Sequence, residues 1–153
     1  VKTKEINPEV LYSLDEYPAF SGSEIAELRN RARSNPSGKI RICMHEAPES
    51  ALHEMLIALR NDVRYPVHKC PARSETHIVL DGLMTVNLFH DDGAIRERVP
   101  MGPPDSGRCG YLRVPANMFH SIRIETEVCV FMEVKLGPFD PADNVKADFP
   151  DVE

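Results

Sequence analysis

Tryptophan is absent from this chain of 153 residues, and aromatic residues together make up only 7% of it. Its core must therefore be built mainly from aliphatic side chains. No apolar run approaches the roughly 20 residues that a membrane-spanning helix needs, so no membrane partner is expected. The opening Val1–Asn7 stretch lacks the hydrophobic centre of a secretory signal. Positive charge is in short supply: 18 Lys and Arg stand against 24 Asp and Glu, a net charge of −6. An acidic domain is a poor match to a polyanion, so no nucleic-acid partner is expected. The four cysteines, Cys43, Cys70, Cys109 and Cys129, form no Cys-x-x-Cys pair. A chain of this length does not need disulfide staples. They read as reduced thiols of a cytoplasmic protein, buried and structural except for Cys70.

Proline is plentiful, at 13 residues, and it punctuates a chain of short segments. Residues 1–22 read as a loosely structured arm, with Asn7-Pro8-Glu9 opening one helical turn. Ser23 is expected to cap a helix over residues 24–33, where Ile25, Leu28 and Ala32 fall at helical spacing, and Asn35-Pro36-Ser37-Gly38 ends it. From Lys39 the period shortens to two. Ile40 and Ile42 alternate with Lys39 and Arg41 in a strand. Another strand is expected from about Glu54, then strands at 75–81, 83–90, 95–99, 111–114, 119–125 and 128–135. Asp81-Gly82 and Asp91-Asp92-Gly93 mark hairpin turns. Many short antiparallel strands at regular spacing imply an all-β sandwich or barrel. The chain divides into an arm and helix (1–38), a barrel (39–141) and a Pro- and Asp-rich tail (142–153).

His68, Cys70, Glu75 and His120 are ligand-type residues on separate strand-like pieces. Imidazole, thiolate and carboxylate together suit a divalent transition metal. His68 and Cys70 are two apart, so they share a face of an extended chain. Four ligands from different strands converge only if the sheet curls on itself, as in a small barrel.

His68-x-Cys70-x4-Glu75-x6-Gly82 resembles the first cupin motif, usually His-x-His-x3-4-Glu-x6-Gly. Pro115-x-Asn117-x-x-His120 resembles the second, usually Pro-x-Gly-x-x-His. Gly82 suits a turn with positive φ, and Asn117 tolerates that region best among other residues. Arg31-Ala-Arg33, Cys43-Met-His45, Pro66-Val-His68 and above all Phe131-Met-Glu-Val-Lys-Leu-Gly-Pro-Phe-Asp-Pro141 are similar to the WbuC-type cupin metalloproteins, over roughly residues 25–141. That resemblance implies a cupin jelly-roll β-barrel with a helical N-terminal extension, and an association with bacterial surface-polysaccharide metabolism. It also implies a divalent metal: zinc, iron, nickel, copper or manganese. Cys70 stands where the family has a second His. It is either a soft ligand, favouring zinc or copper, or lies outside the metal shell. Ser74 and His77 stand where the family has aromatic residues. His77 shares the face of Glu75 one strand repeat on, which places it in the pocket wall rather than among the ligands.

Glu133 and Lys135 share a face of the last strand with Phe131. If that face lines the barrel they pair there, poised for acid–base work; otherwise they form a strand-end salt bridge. His45 is expected at the barrel mouth against a bound ligand. Tyr65 and Tyr111 border the two motifs, and Tyr65 is a further ligand contact. His53 and His90 read as solvent-exposed. Arg29, Arg31, Arg33, Lys39 and Arg41 form a basic stretch, suited to a phosphate or simply a solvated face. Three functions follow. One is a metal-dependent isomerase or epimerase acting on a small polar molecule such as a sugar or sugar nucleotide, with Lys135, Glu133 and His77 as its working groups. An iron-dependent oxygenase is a variant of it. The others are a non-catalytic small-ligand cupin and an interaction protein. A homodimer is expected from the resemblance.

Overall fold

The computed structural model describes residues 1–151. Its twelve strands are β1 (Thr3–Asn7), β2 (Val10–Ser13), β3 (Lys39–Cys43), β4 (Leu52–Arg60), β5 (His68–Lys69), β6 (Glu75–Asp81), β7 (Met84–Phe89), β8 (Ile95–Met101), β9 (Tyr111–Val114), β10 (Phe119–Ile124), β11 (Val128–Leu136) and β12 (Val145–Lys146). One helix, α1 (Gly22–Ser34), precedes β3. The strands form a seven-stranded sheet, ordered β1-β2-β3-β4-β11-β6-β9, and a five-stranded sheet, ordered β12-β5-β10-β7-β8. Every pairing is antiparallel except β2 with β3. No helix among the described residues is long and apolar enough to cross a membrane.

The hydrophobic pattern explains the layers. β11 is apolar on both faces over its first half, because each face meets a different layer. Cys129 and Phe131 point between the sheets, among Leu59, Val79, Met84, Val86 and Ile124. Val128 and Val130 point outward and pack with Leu28 and Ala32 of α1, and with Ile40, Ile42, Leu56 and Ala58. Strand alternation then carries Glu133 and Lys135 along the inner face. β4 runs beside β11 over its whole length, with Met55 opposite Glu133 and His53 opposite Lys135.

The hairpin signals read from the sequence are present. Gly82 has φ +81°, and a Cβ there would lie 2.5 Å from the Val128 carbonyl oxygen, so both conformation and space demand glycine. The N-terminal residues depart from expectation. Residues 1–22 are not a loose arm: β1 and β2 form a hairpin that extends the seven-stranded sheet. Asn7-Pro8-Glu9 is the turn of that hairpin, where the Glu9 amide donates to Asn7 Oδ1 at 2.9 Å. Ser21, not Ser23, caps the helix. Glu24 lies three residues after Ser21 and closes a reciprocal capping box with it, whereas Ala26 follows Ser23 at that spacing. The tail is tied down as well. β12 pairs with β5, and Phe149 packs on Phe89 and Phe119 at ring distances of 5.7 and 5.3 Å.

Candidate metal centre

The strand registers bring distant residues together in pairs. His68 of β5 lies opposite His120 of β10. Across the barrel, Glu75 of β6 lies opposite Lys135 of β11, and His77 lies opposite Glu133. The Asn117 turn feeds β10. Its φ is +62°, and its amide donates to the Cys70 carbonyl at 2.8 Å. That bond ties the two ligand-bearing segments to each other.

Ligand atoms of His68, Glu75 and His120 all lie within 4.8 Å of one another. His120 Nε2 is 3.1 Å from Glu75 Oε2, and the two imidazole rings are 4.5 Å apart. The Nδ1 atoms of His68 and His120 face the carbonyls of Pro66 and Met118, at 3.1 and 3.0 Å. A proton on each Nδ1 meets those carbonyls, so Nε2 is left as the ligating atom, the usual arrangement behind a metal-bound histidine. This donor set fits a divalent transition metal. Without one, Glu75 takes its counter-charge from protein groups. Burial would raise its pKa, but the hydrogen bond from His120 and the charge of Lys135 outweigh burial and Glu133, and it falls to about 2. Burial likewise opposes the charged form of His120, yet Glu75 raises its pKa overall. Burial, then the neighbouring His120, lowers that of His68.

Cys70 is not among the three converging ligands. Its thiol donates to Glu75 Oε1 at 3.2 Å, and burial, followed by the Glu75 charge, pushes its pKa up to about 12. A second group of ligand atoms within 4.8 Å joins Glu75 to His77 and Glu133. Lys135 Nζ bridges the two carboxylates, 3.0 Å from Glu133 Oε1 and 3.5 Å from Glu75 Oε1. Burial opposes both charges, but each outweighs it for the other. The Glu133 carboxyl is held well below the usual range, and the Lys135 ammonium is raised.

Lys135 also lines a cavity of about 260 Å³ with Tyr12, Arg41, His45, His53 and Met55. His45 therefore stands where a ligand could reach both it and Lys135. It stacks on His53 at 4.0 Å, and His53 is buried rather than exposed. Single-residue polarity suggested exposure; the β4–β11 register decided otherwise by placing His53 beside Lys135. Tyr65 is 39% exposed and lines a separate cavity of about 190 Å³ that also contains Arg41. Tyr111 is exposed. Cys43 and Cys129 are buried as expected, but Cys109 is exposed.

The basic stretch divides. Arg29 pairs with Asp81, Arg31 with Glu5, Arg33 with Glu127 and Lys39 with Glu9. Arg41 has no ion-pair partner among the described residues and faces both cavities. The sequence placed it in the basic stretch suited to a phosphate, but could not tell it from the four cations that are paired.

Residues 20–101 match the profile of a family described as "Domain of unknown function (DUF6016)". No curated protein matches the sequence. Among solved structures, oxalate decarboxylase from Bacillus subtilis at pH 4.6 is similar at 18% identity and a TM-score of 0.54, over 71% of this chain and 27% of that one. Protein SO0799 from Shewanella oneidensis is similar at 12% identity and a TM-score of 0.52, over 67% of this chain and 66% of that one. This chain thus spans about a quarter of the decarboxylase. The likeness is one of fold, and that fold is the cupin jelly roll.

Proposed function

We propose, for a chain that belongs to this domain family of unknown function, that it is a metal-binding cupin that holds a small polar anion against a divalent ion. The observation that carries this reading is the convergence of His68, Glu75 and His120 within 4.8 Å, with each histidine aimed by a backbone carbonyl. These three residues hold the ion, and Cys70 supports Glu75 through its thiol.

A divalent ion there supplies Lewis acidity toward a carbonyl or hydroxyl oxygen. The protein groups supply the rest. Lys135 and Arg41, which has no ion-pair partner among the described residues, line the 260 Å³ cavity and attract a carboxylate or phosphate. Tyr12 and His45 border the same space and offer hydrogen-bonding groups to hydroxyls. A cavity below about 300 Å³ suits a small metabolite. A monosaccharide acid or sugar phosphate fits this description, while a whole sugar nucleotide would extend beyond it. The reaction read from the resemblance is isomerisation or epimerisation. In it Lys135 holds the anion beside the ion, and Glu133 holds Lys135.

A second reading, binding without chemistry, is favoured by one observation. The ion pair stabilises the charged form of both Glu133 and Lys135, which suits a fixed binding platform better than a proton shuttle. Elemental analysis of purified protein tests the shared premise. We expect about one equivalent of a transition metal in the wild type, and loss of it in His68→Ala and His120→Ala. Metal-free wild-type protein that takes up none of zinc, manganese, iron, nickel or copper would overturn the proposal. Turnover of sugar phosphates and sugar acids, measured with the loaded protein, then separates catalysis from binding.

A further inference from the structure

We propose a second divalent-cation site, made by Glu75, His77 and Glu133, that shares one carboxylate with the His68/Glu75/His120 centre. Ligand atoms of these three residues lie within 4.8 Å of one another. Two carboxylates and a histidine would not by themselves make a site. The added observation is His77. Its side chain is 0% exposed, yet neither ring nitrogen has a hydrogen-bond partner. A buried imidazole normally satisfies both nitrogens. Here one edge of the ring region meets Phe131, with ring centroids 5.8 Å apart. The nearest charged oxygen, Glu133 Oε2, is 3.8 Å from His77 Nε2, too far for a hydrogen bond. Ligands around an ion at about 2.1 Å stand roughly 3.0–3.5 Å apart, so the His77–Glu133 pair needs only a small adjustment to admit one, and Glu75, within 4.8 Å of both, closes onto it.

Lys135 is the present cation of this cluster. It meets the charge of Glu75 and Glu133, but an ammonium has only protons to offer and cannot answer the His77 lone pair. A divalent ion in the cluster would answer both carboxylates and the imidazole lone pair. A mixed nitrogen and carboxylate set suits manganese, iron, cobalt or zinc. Lys135 is a quarter exposed and borders the 260 Å³ cavity, so it has space to withdraw into. Displacing an ammonium, next to an ion already on Glu75, makes this the weaker of the two sites.

Equilibrium dialysis of the full chain against Co²⁺ tests the proposal, with visible absorption as a second readout. Wild type should bind two equivalents, the second at least tenfold more weakly. His77→Leu and Glu133→Gln should lose only the weak one. His120→Ala should lose only the tight one, which separates failure of this site from failure of the first centre. Lys135→Met should tighten the weak site at least tenfold, a gain that misfolding cannot produce. Saturation at one equivalent in both wild type and Lys135→Met would overturn the second site, as would a second equivalent that survives unchanged in His77→Leu.

Discussion

His120 Nε2 and Glu75 Oε2 stand 3.1 Å apart across the barrel, and both side chains are almost fully buried. They join the two sheets at the point where a metal would sit. His120→Ala strands a buried carboxylate that keeps only Lys135 and Cys70 as partners. It should cost about 3 kcal/mol of stability in metal-free protein, read from urea denaturation in the presence of chelator. A loss below 0.5 kcal/mol, roughly the scatter of surface substitutions, would mean that the pair is solvated.

Cys70 should be a sluggish thiol despite lying beside the site. With a pKa near 12, only about one molecule in ten thousand carries the thiolate at pH 8. Alkylation by iodoacetamide, followed by mass spectrometry of metal-free protein, should label the exposed Cys109 first and Cys70 far more slowly. Equal rates would contradict the thiol–carboxylate hydrogen bond.

Asn117 occupies the left-handed region at φ +62°. Asn117→Gly should be neutral or stabilise by up to about 1 kcal/mol, and Asn117→Val should destabilise by about 1–2 kcal/mol. The same turn carries the Cys70–Asn117 backbone bond, so the valine variant should also weaken metal affinity. Thermal melts and a metal titration of the two variants check both effects.

Phe149 belongs to the tail but packs on Phe89, Phe119 and the face of Gly93. Phe149→Ala should destabilise by about 2 kcal/mol, from two aromatic contacts and lost apolar burial. An unchanged urea midpoint would show that the tail does not stay docked in solution.

His45 carries a pH dependence with a definite sign. Burial first, then His53, lowers its pKa below 6.5. The unfolded chain therefore takes up the proton before the folded one does. His45 contributes its full stability above pH 6.5, and loses it as pH falls through the lower folded value. Its NMR titration midpoint should lie below 6.5. The fall in urea midpoint between pH 7 and pH 5 should be smaller in His45→Gln than in wild type.

The sequence by itself determined the local structure and the types of ligand. Turn signals around short segments specified strands at 75–81, 111–114 and 128–135, and period-two alternation specified the strand that starts at Lys39. The demand for positive φ fixed Gly82 and allowed Asn117. His68, Glu75 and His120 were legible because their spacing to those turns is distinctive. The N-terminal hairpin was not legible: β1 and β2 are short, and β2 is held in the sheet by β3, whose paired residues lie 31 positions further along the chain. Only the tertiary structure decided what each polar side chain faces. His53 and His90 look alike in sequence, yet register buries one beside Lys135 and leaves the other exposed at the end of β7. Cys70 sits at a ligand position by motif but spends its proton on Glu75. His77, two residues from Glu75, is left against Glu133 with both nitrogens unpaired. Strand periodicity tells which face a residue takes. Distances across the barrel depend on sheet order and on how the two sheets close, and no stretch of local sequence encodes either.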